Sequence, residues 1–320
     1  MFDRRKKSVF QFDRKLNWLL IAIVMAVSPA WFGALQAGPI AVPNASFESP
    51  VTLSESVTID SWQKTPKPDS WDENSSGAWT NLTGIFQNTP PGNSDHIDNC
   101  DGNQAAWLFA DPGVGLFQDY DSMDSNDPSP THAFDVKFEA GKSYQLAVGV
   151  IGGGYSMLPD VPLEASLYYR DPASNKVIVA ATTITYSTAV FSNRTHLIDF
   201  EVNVPTVKAG DAWAGQHIGI QMLSTVDTNL MGGYWDLDNV RLSSVLAPAL
   251  LSPVRTNGQF QFTLQSEPGY AFEILTATNL SLSLSNWTSL GTVTNVTGAI
   301  PFIDTSTDFN QRFYQARQLP

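Results

Sequence analysis

The chain has 320 residues and carries 31 Asp and Glu against 18 Lys and Arg, a formal net charge of −13. A field of that sign repels phosphate backbones and acidic headgroups, which excludes nucleic acid and anionic lipid surfaces as partners. With one cysteine, Cys100, no disulfide can close within the chain, and a chain of this size buries ordinary cores without one.

Residues 1–37 read as an export leader. Arg4, Arg5, Lys6, Lys7, Arg14 and Lys15 precede the apolar run LNWLLIAIVMAV, and small residues follow as far as Ala37. An uncleaved membrane anchor is the alternative reading, weakened by Asn17, Ser28, Pro29 and Gly33. The mature chain is then expected to start near Gly38, either secreted or held at the cell surface.

Between residues 51 and 100, Pro66, Pro68, Pro90 and Pro91 separate isolated tryptophans, a pattern of long loops. Trp71 and Trp79 lie there beside Asp72, Glu73, Asn74, Ser75 and Ser76. Exposed rings among hydrogen-bonding side chains suit the stacking of a sugar face, although most large aromatics in a β-sandwich belong to the core. Trp107, in the apolar run QAAWLF, is expected to pack inside.

Strand patterns then follow one another at 104–109, 143–149, 164–169, 177–181, 196–204 and 217–223, rich in Val, Ile, Phe and Tyr and separated by turn residues. Asp171, Pro172, Ser174 and Asn175 mark a hairpin. The loop DYDSMDSNDPSP, 119–130, reads as a solvated surface loop or a weak cation site. After residue 244 an uncharged, Pro-punctuated stretch, 245–253, reads as a linker. Residues 254–320 repeat the strand pattern on a smaller scale, without His or Cys. The expected fold is all-β: a jelly-roll β-sandwich over 38–244, followed by a small β-sandwich over 254–320.

The stretch YWDLDNVRL, 234–242, raises a problem. Strict alternation puts Asp236 and Asp238 on the same side as Val240 and Leu242, the natural core residues. First and last strands of such sandwiches commonly pair, which would bring Glu48 of VPNASFESP to these acids. Carboxylates gathered in a dry place need a counter-charge, and Ca²⁺, which accepts irregular sets of oxygen ligands, supplies it. The candidate ligands are Glu48, Asp236 and Asp238, with Asn44 and Ser46 adding oxygens. The competing reading has Asp238 capping a turn or pairing with Arg241, Asp236 solvated, and a bulge breaking the alternation.

Nothing in the sequence announces catalysis. The four histidines form no H-E-x-x-H spacing, and no Gly-x-Ser-x-Gly elbow or phosphate-cradling loop is present. Gly152-Gly153-Gly154 reads as a bend or bulge. The densest polar group, DHIDNCDGN, reads as a solvated loop, and counting acids does not exclude a glycosidase pair.

VPNASFE, DGNQAAWLF, FEAGKSYQLAVGV and YWDLDNVRL together resemble the galactose-binding-like jelly-rolls of bacterial exported proteins. These are related in form to carbohydrate-binding modules, the DUF642 proteins and domains exported with a PEP-CTERM tag, whose C-terminal helix and basic end are missing from RFYQARQLP. The resemblance covers about 43–244 and implies a structural calcium held by Glu48 and Asp238. The segments N-W-T and R-F-Y-x-A are similar to fibronectin-III-like or immunoglobulin-like C-terminal domains. The expectation is an exported, non-enzymatic protein that binds a polysaccharide or cell-surface glycan through Trp71 and Trp79. A structural or adhesive surface protein is the rival, and a polysaccharide hydrolase the third reading.

Overall fold

The computed structural model describes residues 38–124, 129–256, 259–306 and 311–319, so the leader expected over 1–37 lies outside the described residues. The chain divides into two compact units, with the boundary in sequence between Ser244 and Val245. In the first unit the chain forms β1 (Gly38–Ile40), β2 (Glu55–Ser56), β3 (Gln63–Lys64), β4 (Thr83–Gln87), β5 (Gln104–Phe109), β6 (Gly115–Gln118), β7 (Lys142–Gly154), β8 (Pro162–Arg170), β9 (Lys176–Thr185), β10 (Ile198–Val204), β11 (Gly219–Ser224) and β12 (Tyr234–Leu246).

These strands make two antiparallel sheets. One runs in the order β10-β7-β12-β5-β4-β2 with β1 added on β12, and the other runs β3-β6-β11-β8-β9. Their inner faces supply the core, where Phe47, Leu108, Phe138, Leu146, Leu163, Leu167 and Trp235 lie with no exposed surface. Each side chain of this size contributes roughly 1.5–3 kcal/mol by leaving water. The ends of the unit do pair: Gly38 stands opposite Ser244 and Ile40 opposite Leu242. The glycine triplet closes β7, with the Trp235 ring over Gly152 and the Tyr234 ring over Gly154.

The segment expected to hold long loops also contains short strands and a four-residue helix, α1 (Glu73–Ser76), capped by Asp72. At the other acidic loop, Asp119 is buried rather than solvated. Its Oδ2 accepts from the Tyr168 hydroxyl at 2.6 Å and from Arg170 Nε at 2.8 Å. Arg170 supplies the counter-charge that the burial of Asp119 demands.

The second unit holds β13 (Ala249–Thr256), β14 (Gln259–Gln265), β15 (Ala271–Ala277), β16 (Thr288–Thr294), β17 (Ala299–Asp304) and β18 (Phe313–Gln318). They form two three-stranded sheets, β13-β14-β17 and β16-β15-β18, over Phe262, Leu264, Phe272, Ile274 and Tyr314. The immunoglobulin-like or fibronectin-III-like label is not supported, because among the described residues three strands pair in each sheet where an immunoglobulin sandwich divides about seven between its two. Of the stretch 245–253, β12 claims residues as far as Leu246 and β13 begins at Ala249, so extended pairing replaces most of the expected linker.

Candidate active site

The problem raised by YWDLDNVRL has a local solution. Across the β12–β5 ladder Trp235 stands opposite Leu108 and Leu237 opposite Ala106, and all four are fully buried in the core. Tyr234, opposite Phe109, and Asp236, opposite Trp107, therefore point to the outer side of the sheet. Asn239 then takes a left-handed conformation, φ 54°, after which Val240 and Leu242 are the buried residues. One residue out of step exchanges the faces of the strand. The acids do not share a face with Val240 and Leu242: those two enter the core, and the acids lie outside it.

On that outer side opens a cleft of about 1070 Å³ walled by Phe86, Trp107, Phe109 and Tyr234, with Asp236 and Arg194 among its polar lining. Trp107, expected inside, stands in its wall. The indole lies flat over Gly84, where a Cβ would fall 2.2 Å from the ring, and its N–H donates to the Asn81 carbonyl at 3.1 Å. Phe109 and Tyr234 pack with ring centroids 5.8 Å apart. Burial raises the Asp236 carboxyl to about 7, with the Arg194 guanidinium pulling the other way. The Tyr234 hydroxyl is raised by burial first and then by Asp236, with the Arg194 guanidinium pulling the other way.

Two loops form the rim. Asp98 N donates to Thr195 O at 2.8 Å, Asn99 exchanges side-chain bonds with both the N–H and the carbonyl of Leu197, and His196 Nδ1 meets Asp98 Oδ1 at 2.7 Å. The DHIDNCDGN segment is thus zipped to 193–197 rather than free in solvent. Beneath it Ile97, Ala105, Ile151 and Leu197 form a small cluster of their own, with Cys100 packed against it. Burial and the neighbouring carboxylates push the Cys100 thiol far up, so it stays protonated.

Asp238 lies under this roof. Its Oδ2 accepts from Asp101 N at 2.6 Å, while its Oδ1 is buried with no hydrogen-bond partner; burial raises the carboxyl to about 7. Glu48 reaches the same turn, its Oε1 accepting from Asn103 N at 2.7 Å and Gln104 N at 2.6 Å. Gly102, φ 102°, sits so close that a Cβ would fall 2.5 Å from that oxygen. Glu48 and Asp238 therefore grip one turn from its two sides, and main-chain N–H groups supply part of the counter-charge. The orphaned oxygen and the all-oxygen surroundings fit a hard cation, although among the described residues no three His, Cys, Asp or Glu side chains converge as a ligand set.

The other expected site residues lie elsewhere. Asn44 spends its amide on Ser49 and on Asp60 O, bracing the turn in which Ser46 is half-buried. Asp236 faces the cleft. Trp79 is buried with its N–H on Thr65 O, and Trp71 packs edge-on against it at 5.1 Å with its own N–H on Gly77 O. Neither ring lines the cleft.

Fold and site together define a β-sandwich with an acid set in an aromatic cleft on the outer face of one sheet. Residues 38–243 match the HpiC1-like family model, described as HpiC1 cyclase, and the chain belongs to that family. Among solved structures it is similar to the Stig cyclase Fisc from Fischerella sp. TAU in complex with (3Z)-3-(1-methyl-2-pyrrolidinylidene)-3H-indole. The identity is 21% and the TM-score 0.47, over 66% of this chain and 99% of that one. A cyclase from the same organism with 4-(1H-indol-3-yl)butan-2-one matches at 20% identity and a TM-score of 0.47, over 67% and 100%. The CBM22-1 xylan-binding domain of Paenibacillus barcinonensis Xyn10C follows at 11% and 0.32, over 62% and 95%. No curated protein matches the sequence.

The family corrects several expectations. The resemblance to galactose-binding-like, DUF642 and PEP-CTERM-associated modules gives way to a cyclase family, and with it go the non-enzymatic reading, the carbohydrate-binding function and the polysaccharide partner. The motifs behind that resemblance lie on strands and turns of the sandwich, and a fold does not fix a function.

The raised Asp236 has a sign that can be tested. Between its ordinary value of 3.8 and about 7 the folded chain keeps a proton that the unfolded chain has lost, so this group's contribution to stability falls as pH rises through that window. Asp236→Asn is expected to be more stable than the wild type at pH 8, by roughly 1–3 kcal/mol after allowing for partial exposure, with the gain vanishing near pH 4. Urea melts at the two pH values measure it; a variant less stable at both would contradict the assignment.

Proposed function

We propose that the first unit is a cyclase acting by acid-initiated ring closure on a flat, electron-rich, indole-like substrate, with Asp236 as the general acid. The observation that carries this reading is the placement of the Asp236 carboxyl, raised by burial and opposite Trp107 on the sheet, in a cleft walled by Phe86, Trp107, Phe109 and Tyr234. Membership in a cyclase family supports it. Aromatic faces hold a flat ring by stacking and stabilise positive charge through their quadrupoles, while excluding the water that would trap a cation.

In the proposed sequence the Asp236 carboxyl gives its proton to a carbon or nitrogen of the substrate. The cation so formed is attacked by an electron pair within the same molecule, closing a carbon–carbon bond, and loss of a proton to the Asp236 carboxylate restores the acid. Product and substrate are isomers, so no co-reactant is required. Export of the chain remains part of the proposal, carried by its basic and apolar leader.

A structural Ca²⁺ belongs to the same reading, with Asp238 and Glu48 as the carboxylates that would hold it. When bound, it would supply charge compensation to the gripped turn and take no part in proton transfer. Asp236, open to the cleft, is not assigned to it.

Proton transfer is tested without the natural substrate by following deuterium uptake at C3 of 2-methylindole in D₂O by mass spectrometry. The wild type is expected to accelerate exchange over buffer, and Asp236→Asn to lose roughly 10²-fold or more of that acceleration; equal rates for the two proteins would sink the general-acid role. For calcium, chelator is expected to lower the melting temperature of the wild type and leave that of Asp238→Asn unchanged. A wild-type melt indifferent to chelator would remove the ion from the account.

A further inference from the structure

Arg194 is an anomaly in its surroundings. In a chain where acids outnumber bases, 31 to 18, arginines ordinarily find carboxylates. Arg170 pairs with Asp119 at 2.7 Å, Arg241 with Asp199 at 2.5 Å, Arg312 with Asp304 at 2.7 Å, and Arg317 with Glu273. Arg194 lines a cleft that also contains Glu55, Asp95 and Asp236, yet among the described residues it closes no ion pair. Its positive charge acts on the Asp236 carboxyl and the Tyr234 hydroxyl, which line the same cleft.

Its position is built rather than incidental. Asn193 Oδ1 accepts from Thr195 N at 2.9 Å and from Thr195 Oγ1 at 2.8 Å, fixing the turn around Arg194. Immediately after it, the 195–197 segment is zipped to Asp98 and Asn99. A braced loop therefore presents a planar, five-donor cation to the cleft, with most of its donors uncommitted.

We infer that Arg194 is the substrate-anchoring residue of the cleft and that the substrate carries a carboxylate beside its flat apolar ring. A guanidinium fork matches a carboxylate with two parallel hydrogen bonds, which gives orientation as well as affinity. Glu55 and Asp95 repel an anion elsewhere along the lining, so the carboxylate has one favourable place, and the ring is laid in a single direction against Trp107. This inference rests on the aromatic-cleft reading proposed above and adds the chemical class of the substituent.

The test uses the full chain with 3-(1H-indol-3-yl)propanoate and its methyl ester, titrated calorimetrically at pH 6 and low salt against wild type, Arg194→Gln and Arg194→Lys. The wild type is expected to bind the acid at least tenfold more tightly than the ester. Arg194→Gln is expected to abolish that preference by weakening the acid at least tenfold more than the ester, and Arg194→Lys to keep only part of it, having charge without the fork. A wild type that binds both probes equally, or an Arg194→Gln that retains the preference or loses both probes alike, overturns the anchoring role and leaves the aromatic cleft standing. Binding of neither probe to the wild type overturns the cleft reading itself, and this inference with it.

Discussion

A strand in strict alternation shows one set of side chains to each face, and β12 breaks that rule at a single residue. Asn239, at φ 54°, shifts the phase, so that Trp235 and Leu237 fill the core before it and Val240 and Leu242 after it. Asp236 and Asp238 are thereby left on the outward side without costing the core a place. Asn tolerates the left-handed region better than most residues, which is why the shift falls there at modest strain. Without it, either two apolar residues would face solvent or two carboxylates would sit between the sheets, where each would cost several kcal/mol.

The two acids then diverge because of what covers them. The loop that carries Cys100 and Asp101 is drawn over Asp238 by the Asp101 N–H and held from the other side by Glu48. Asp236, opposite Trp107, is left open to the cleft. Burial raises both, and it is Asp236 that lines the cleft, a space large enough for another molecule. A group that costs stability where it could meet a substrate is the ordinary signature of a working site, since such groups are tuned by the same desolvation that destabilises them.

Much of the scaffold was legible in the sequence. QAAWLF forms β5 at the expected residues, and the first and last strands pair as such sandwiches commonly do, though through Gly38–Ile40 rather than VPNASFESP. The face of Trp107 was not legible. Every residue of QAAWLF except the first is apolar, because loops cover the outer side of the sheet as well, and alternation without polar residues cannot say which side is the core. Trp71 and Trp79 misled for the opposite reason: their neighbours are polar and exposed, but both rings turn inward and satisfy their N–H groups on backbone carbonyls. The one local signal for the phase shift was an Asn inside a strand pattern. The cleft combines residues from β2, β4, β5, β12 and the loops between them, so no single segment could announce it.

The most direct measurement of this division of roles is carboxyl ¹³C NMR of aspartate-labelled protein, with Asp236→Asn and Asp238→Asn identifying the two resonances. Adding an indole should move the signal of Asp236 and leave Asp238 in place, whereas adding calcium should do the reverse. Both ligands shifting the same carboxyl, or each shifting the other's, would contradict the account.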